Sequence, residues 1–194
     1  ASLHKKYKIN RLVISTYQSA SGAGKDGLIE LENQIKEYTL NKNYDTKIFG
    51  RQYINNIFSH NTLINLENGY NEEELKIIEE TNKILEANIK ISITCIRVPV
   101  FRAHCESVNI EFDNTVDIDE IKQILEHQPG VKLVDDAING IFPEPINSQN
   151  NFDVLVGRIR YDLSDPNKKI INLFLSGDQL LKGAALNAYQ ILNL

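Results

Sequence analysis

Residues 90–112 read KISITCIRVPVFRAHCESVNIEF, and this stretch decides the fold. Its first part has the β-branched composition of a strand as far as Pro99, and its second part alternates from His104 to Phe112. A period of two is typical of a strand, and a proline cannot donate to the ladder of a sheet. The sequence therefore predicts two strand segments that are interrupted at Pro99.

The residues before this stretch predict a strand, a small-residue turn and two helices. Residues 11–17, RLVISTY, form a strand-like run, and the turn SASGAG follows them before a helix with apolar residues at Leu28, Leu31 and Ile35. The clearest helix covers residues 71–88, where Asn71 and Glu74 have the spacing of a capping box. Residues 40–70 between these helices show no sustained period, so we predict a long and partly irregular segment there.

The residues after this stretch predict a short helix, more strands and a final helix. Residues 117–127 are amphipathic, VKLVD follows as a strand, and VLVGRIR and IINLFLSG flank a turn as an antiparallel hairpin. The final helix is predicted from about residue 179 to residue 194. The fold class is therefore α+β, with a mixed, largely antiparallel sheet covered by helices on one face.

Composition favours a single domain that acts on small molecules or on protein partners. The chain has 194 residues and a net charge of -5, without a basic tract, so we expect no nucleic-acid partner. No apolar run approaches the roughly 20 residues of a membrane span, so we expect no membrane association. With two cysteines and no apolar signal-peptide core near the first residue, a reducing, cytoplasmic location is expected.

His104 and Cys105 are adjacent in sequence, which suggests a catalytic pair of a cysteine nucleophile and a histidine base. Neighbouring residues of a strand point to opposite faces, so the strand prediction excludes a nucleophile and base at these positions. Cys95, within ISITCIRV, is predicted to lie in the core, and Cys105 is predicted to pack on a sheet surface or interface.

Three other groups of residues have both a structural and a functional interpretation. Arg97 and His104 converge if the strand breaks at Pro99, but they also suit an edge ion pair and an ordinary strand end. Glu73 and Lys76 are three residues apart on a predicted helix. They suit a weak surface ion pair, or a site in which the carboxylate binds a substrate ammonium and the lysine binds an anion. The SGAG turn is either a plain turn or a cradle for an anion or cofactor.

Five segments, taken in order, resemble the later part of the aspartate-semialdehyde dehydrogenase family. They are STYQSASGAG, EELK, CIRVPVFRAHCESV, VGRIR and KGAALNAYQIL. The resemblance implies a domain like the C-terminal domain of glyceraldehyde-3-phosphate dehydrogenase. It also implies an NADP-dependent, phosphorylating enzyme of lysine, threonine and methionine biosynthesis, which interconverts aspartyl phosphate and aspartate semialdehyde through a cysteine thioester.

The resemblance also assigns roles to individual residues. His104 matches the general acid/base, and Lys76 matches the phosphate-binding residue. No metal is implied. Gln18, Glu73 and Arg97 match the substrate-binding residues, and Ser21, Gly22 and Gln179 match residues that contact the cofactor.

The chain departs from the family in lacking the nucleophilic cysteine and a GxxGxxG cofactor turn, and in having Leu181 where an arginine is common. The resemblance therefore implies a catalytic and dimerisation domain, residues 1–177, and a C-terminal helix, residues 178–194, that packs on an absent cofactor domain. We expect the chain to be inactive alone and to form homodimers or homotetramers. The alternatives are an enzyme like N-acetyl-glutamyl-phosphate reductase and a non-catalytic dimerisation module.

Overall fold

A computed structural model of the protein describes residues 1–192, and its centre is a mixed sheet of seven strands. The strands are β1 (Ile9–Gln18), β2 (Phe58–Ser59), β3 (Lys90–Arg97), β4 (His104–Phe112), β5 (Val131–Leu133), β6 (Val154–Tyr161) and β7 (Ile170–Gly177). Their order across the sheet is β2-β3-β1-β4-β7-β6-β5. Strands β1 and β3 are parallel, as are β5 and β6, and the other pairs are antiparallel. The predicted fold class is confirmed, as is the predicted hairpin of β6 and β7.

Six α-helices surround the sheet within the described residues. They are α1 (Ser2–Tyr7), α2 (Gly24–Thr39), α3 (Glu72–Leu85), α4 (Ile118–Glu126), α5 (Pro145–Ser148) and α6 (Leu186–Leu192). A 3-10 turn, Ala20–Ala23, leads into α2, and a π-helical turn, Leu181–Ala185, leads into α6. No helix within residues 1–192 is both long and apolar enough to cross a membrane.

The main core lies on the helix-covered face of the sheet. Alternate residues of β1, β3, β4 and β7 contribute it, and residues of α1, α3 and α4 pack against them. Because alternate residues of a strand share a face, the period-two pattern of β4 places Val108, Ile110 and Phe112 together in this core. The same alternation carries His104 to this face of the sheet.

Two short helices, α1 and α5, were not predicted, and several helix boundaries differ from the sequence prediction. Helix α1 precedes β1, where the sequence predicted no element. Helix α2 begins at Gly24, ahead of the apolar residues that predicted it. The final helix opens with a π-helical turn, and residues 193–194 of its predicted range lie outside the described residues.

The irregular segment before α3 is fixed by two buried polar residues of α2. The carboxylate of Glu30 accepts hydrogen bonds from the backbone N–H groups of Ile48 and Phe49, at 2.6 and 3.2 Å. One turn later, the Gln34 side-chain oxygen accepts from the N–H groups of Tyr53 and Ile54. Glu30 and Gln34 therefore supply the hydrogen-bond partners that a segment without regular structure cannot supply to itself.

Candidate functional site

One end of the sheet gathers three of the residues that the sequence singled out. Strands β1 and β3 run in parallel and end side by side at Gln18 and Arg97, which are register partners. Strand β4 runs the other way and begins at His104, opposite Gly177 at the end of β7. The amide of Gln18, the guanidinium of Arg97 and the imidazole of His104 therefore lie at the same end of the sheet.

The interruption at Pro99 is what allows Arg97 and His104 to converge. Residues 98–103 leave the sheet and pair instead with the turn after β1, where the N–H groups of Ala20 and Ser21 donate to the carbonyls of Val100 and Phe101. These hydrogen bonds hold the excursion against the turn. The break predicted from the proline is confirmed, together with the convergence that it permits.

Gly22 separates the guanidinium from the imidazole. A Cβ atom on this glycine would lie 2.7 Å from Arg97 Nη1, closer than a Cβ atom tolerates, and 3.0 Å from His104 Nε2, so the ends of both side chains would have to shift. Both nitrogen atoms therefore approach the same point above the turn. Gly22 leaves room for both side chains because it has no Cβ atom, and its backbone angles play no part in this.

Arg97 is buried without a counter-ion. Its side chain is only 4% exposed, and among residues 1–192 no carboxylate lies within ion-pair distance of it. The Nε atom donates to Asn61 Oδ1 at 3.3 Å, and Nη1 donates to the Ser19 carbonyl at 3.2 Å. A guanidinium has five N–H donors, so three remain on the two terminal nitrogens. A buried, unpaired cation of this kind suits an anionic ligand.

His104 is held by the turn that follows β1. Its Nδ1 atom accepts a hydrogen bond from the backbone N–H of Ser19 at 3.1 Å, and the Ser19 hydroxyl lies 3.0 Å away. Burial, followed by the positive charge of Arg97, lowers the pKa of His104 to about 4. The imidazole is therefore neutral near pH 7. A neutral imidazole has one N–H donor and one nitrogen that can accept a proton.

Glu73, Lys76 and Gln18 form a connected polar group beside Arg97. The Glu73 carboxylate accepts from Lys76 Nζ at 2.5 Å and from Gln18 Nε2 at 3.3 Å. Burial alone would raise the pKa of Glu73, but the hydrogen bond and charge of Lys76 outweigh it and hold this pKa below its ordinary value. Glu73 is thus an anion that is able to receive a cationic group next to the Arg97 guanidinium.

The position of Glu73 depends on the capping box that opens α3. The Asn71 side chain accepts from the Glu74 N–H, and the Glu74 carboxylate accepts from the N–H of Asn71. Glu74 also accepts from the N–H of Cys95 at 2.9 Å, which ties the start of α3 to β3. The capping box predicted from the sequence therefore also fixes the helix to the strand that carries Arg97.

Ser21 and Gln179 meet on the other side of His104. The Gln179 side-chain amide donates to the Ser21 hydroxyl, which lies 2.9 Å from the hydroxyl of Ser19. The amide oxygen of Gln179 is buried and has no hydrogen-bond partner among the described residues.

The neighbouring Asp178 is fully buried, and its carboxylate pairs with Arg102 at 2.8 Å and accepts from the Asn150 N–H. This anchor fixes the corner from which Gln179 projects.

The two cysteines are not placed for catalysis with His104. Cys95 lies in the core, where burial raises the pKa of its thiol to about 11. Cys105 lines a cavity with Tyr17 and Phe174, whereas His104 lines a different cavity with Leu175 and Gln179. The prediction that Cys105 points away from His104 is confirmed.

All eight predicted site residues thus lie at one end of the sheet, but four contributors were not predicted. Ser19 holds His104, Asn61 holds Arg97, and the fully buried Tyr53 places its hydroxyl 2.6 Å from the Val98 carbonyl. His60 is 8% exposed and close enough to Arg97 and Glu73 for their charges to influence it. The last three come from the irregular segment, whose lack of periodicity gave no signal for side-chain direction.

Comparison with known proteins points to one family. A family model described as the semialdehyde dehydrogenase dimerisation domain matches residues 1–182. The aspartate-semialdehyde dehydrogenase of Synechocystis sp. is 46% identical over 193 residues, which cover 99% of this chain and 56% of that protein. The chain therefore spans just over half the length of such relatives.

Solved structures agree with the sequence comparison. Aspartate semialdehyde dehydrogenase II from Vibrio cholerae, in complex with ASA, superposes with a TM-score of 0.93 at 36% identity, covering 99% of this chain and 56% of that one. The enzyme from Candida albicans, with NADP, gives a TM-score of 0.63 at 22% identity, covering 94% of this chain and 49% of that one. The second likeness concerns the fold alone.

Proposed function

The chain belongs to the family of semialdehyde dehydrogenase dimerisation domains, and on that premise we propose that it is the catalytic and dimerisation domain of an aspartate-semialdehyde dehydrogenase. Membership confirms the resemblance carried by the sequence motifs. In the full-length protein, this domain binds aspartate semialdehyde or aspartyl phosphate and supplies the general acid/base. The two compounds are interconverted in the biosynthesis of lysine, threonine and methionine.

Arg97 binds the α-carboxylate of the substrate in this proposal. Its two terminal nitrogens retain enough N–H donors for the parallel hydrogen bonds that a carboxylate accepts from a guanidinium. Glu73 receives the α-amino group. Gln18 is next to both residues, since it donates to Glu73 and is the register partner of Arg97. Lys76 is half exposed, so it can exchange its ion pair with Glu73 for a phosphate group.

His104 moves a proton at the reacting carbon of the substrate. The nucleophile that attacks this carbon is a cysteine from outside residues 1–194, because both cysteines of this chain are buried away from the imidazole. For the same reason we propose that the chain is inactive by itself. The imidazole is neutral near pH 7 and lies beside the guanidinium that binds the substrate.

The residues near His104 fit NADP as the cofactor. The buried and unpartnered amide oxygen of Gln179 suits an N–H donor such as the carboxamide of a nicotinamide ring. Ser21, which accepts from Gln179, and Gly22 complete this side of the site. When bound, the nicotinamide supplies hydride transfer, and a Candida albicans relative of the same fold is known with NADP.

We further propose that residues 1–177 form a homodimer through the sheet face that the helices leave open, or a homotetramer in which two such dimers pair. Tyr17 and Phe174 are half-buried on that face and lie 6.1 Å apart between ring centroids. Residues 178–194 form the segment that packs on the cofactor domain. Ile191 and Leu192 of α6 are 68% and 84% exposed, which suits apolar residues that a further domain covers.

The single observation that carries this proposal is the buried Arg97, unpaired with any described carboxylate and aligned with Gln18 and His104. The experiment is an assay of the full-length protein for NADP reduction that depends on phosphate and aspartate semialdehyde. N-acetylglutamate semialdehyde serves as the competing substrate, because it lacks the free amino group that Glu73 would bind. A preference for the acetylated substrate would contradict the proposal.

The role of His104 is tested with the same assay. We expect His104→Ala to lower kcat by about 10²- to 10⁴-fold while substrate binding is largely kept. The matched control is His127→Ala, since His127 is exposed at the end of α4 and its ring contacts the Gln123 carbonyl of the same helix. Activity of His104→Ala within a few-fold of the wild type would remove the acid/base role.

A further inference from the structure

A chain of hydrogen bonds leads from Gln179 to His104 through two buried serines. Gln179 donates its side-chain N–H to the Ser21 hydroxyl, and the hydroxyls of Ser21 and Ser19 are 2.9 Å apart. The Ser19 hydroxyl lies 3.0 Å from His104 Nδ1. Ser19 and Ser21 are 0% and 2% exposed, so neither hydroxyl has ready access to water as an alternative partner.

The direction of this chain is fixed at the histidine. The backbone N–H of Ser19 lies 3.1 Å from Nδ1, and a backbone N–H only donates. Nδ1 must therefore accept, which means that it carries no proton. A neutral imidazole has one N–H, so the proton of His104 is on Nε2, the atom that faces Gly22 and Arg97.

The serine hydroxyls then order themselves in one direction. Because Nδ1 is an acceptor, the Ser19 hydroxyl donates to it. The same Ser19 oxygen accepts from Ser21, which in turn accepts from Gln179. Each hydroxyl thus donates once and accepts once, and the Gln179 amide, which only donates through its nitrogen, sets the direction from the far end.

We propose that Ser19 is a positioning residue that holds His104 as the neutral Nε2–H tautomer, with Ser21 and Gln179 keeping the Ser19 hydroxyl in its donating orientation. This inference rests on the proposed function for the role of His104 in the reaction. It specifies the resting form of the ring from which proton transfer starts, since the imidazole meets the substrate as a hydrogen-bond donor. A substrate oxygen that gains negative charge near Nε2 accepts a hydrogen bond from that N–H, while the proton itself stays on the ring, because a neutral imidazole that lost it would become an imidazolate.

The same contacts oppose protonation of His104. An imidazolium carries a proton on Nδ1, which would face the Ser19 N–H donor instead of accepting from it. The charged groups close enough to influence the ring are Arg97 on β3, Glu73 on α3 and, when protonated, His60 of the irregular segment. Three further ionisable residues line the cavity beside the ring: Glu106, Asp178 and Lys182.

The first test is the nitrogen NMR spectrum of His104 in the full-length protein near pH 7, with ¹⁵N-labelled histidine. Assignment comes from the signal lost in His104→Gln. A pyridine-like Nδ1 signal and a pyrrole-like Nε2 signal are expected. The reverse pattern would overturn the inference. Because the spectrum does not depend on turnover, this result stands or falls separately from the proposed dehydrogenase activity.

The second test is the pH titration of the same signals in Ser19→Ala, which removes the hydroxyl but keeps the backbone N–H. Loss of one donor to Nδ1 should raise the midpoint by about 0.5 to 1 pH unit. The acid limb of the kcat profile should move the same way. The matched control is Ser148→Ala, since Ser148 is equally buried and donates to the backbone carbonyl of Glu144 rather than to His104. Midpoints that agree in Ser19→Ala, Ser148→Ala and the wild type would contradict the role of the Ser19 hydroxyl.

Discussion

Gln18 and Arg97 are register partners at the ends of two parallel strands, so the amide and the guanidinium project side by side from the same end of the sheet. Strand ends of a central sheet are rigid compared with loops, and a binding group gains precision from such support. Gln18 is 5% exposed and Arg97 is 4% exposed, so both are also held by packing.

Substitution of Gly22 by alanine should impair the site without unfolding the protein. The added methyl group would lie 2.7 Å from Arg97 Nη1 and 3.0 Å from His104 Nε2, so both side chains must move. Displacement of a positioned group by about 1 Å costs on the order of 10²-fold in rate, and we expect kcat/KM to fall by about that amount. Steady-state kinetics of the full-length protein, with Tm alongside, provide the measurement.

Gly157→Ala is the comparison for that experiment. Its added methyl group would lie 1.9 Å from the Val134 carbonyl oxygen, far from His104. This variant should therefore lower Tm, whereas Gly22→Ala should keep Tm close to that of the wild type. If Gly22→Ala loses Tm but keeps kcat/KM, then Gly22 serves the fold and not the site.

The stability of the protein should fall in mild acid because two histidines are buried as neutral groups. Burial, followed by the charge of Arg97, lowers the pKa of both His60 and His104 to about 4 from the ordinary 6.5. Between these values the unfolded chain binds more protons than the folded protein, so the free energy of unfolding falls as pH drops through this window. By pH 5 the loss is roughly 1–2 kcal/mol per histidine.

Urea unfolding of the full-length protein at pH 7 and pH 5 measures this dependence. His60→Gln removes one of the two groups and should reduce the difference between the two pH values by about 1–2 kcal/mol. His127→Gln, at an exposed position, should leave it unchanged. An equal pH dependence in His60→Gln and the wild type would show that His60 is not buried in its neutral form.

Tyr53→Phe should loosen the irregular segment from the sheet. The Tyr53 ring is fully buried, and its hydroxyl lies 2.6 Å from the Val98 carbonyl and 3.3 Å from that of Gln18. Removal of one buried donor should lower the free energy of unfolding by about 1–2 kcal/mol. Tyr44→Phe is the control, because its hydroxyl donates to Gln52 at the surface. Equal effects of the two substitutions on chemical denaturation would refute this role for Tyr53.

The strands and the main site residues could be predicted because local rules govern them. Period-two alternation placed His104 and Cys105 on opposite faces, and Pro99 marked the break that brings His104 to Arg97. The capping-box spacing of Asn71 and Glu74 likewise located the start of α3. In each case, the residues that predict a strand, a break or a helix start lie within a few positions of that feature in the sequence.

The supporting contacts could not be predicted because they join residues that are distant in the chain. Glu30 and Gln34 look like surface positions of an amphipathic helix, yet they are buried by the segment whose backbone they bind. Asn61 meets Arg97 across 36 residues of sequence, and Ser19 meets His104 across 85. Neither pair has a periodicity or a motif that specifies its distance.

The central claim is that Arg97 holds the carboxylate of an amino-acid semialdehyde. The most direct measurement is kcat/KM of full-length wild type and Arg97→Lys with two substrates: aspartate semialdehyde and 3-aminopropanal, which lacks the carboxylate. A lysine cannot reproduce the two parallel hydrogen bonds, so Arg97→Lys should raise KM for aspartate semialdehyde and change little for 3-aminopropanal. An unchanged KM for aspartate semialdehyde, or an equal loss with both substrates, would contradict the claim.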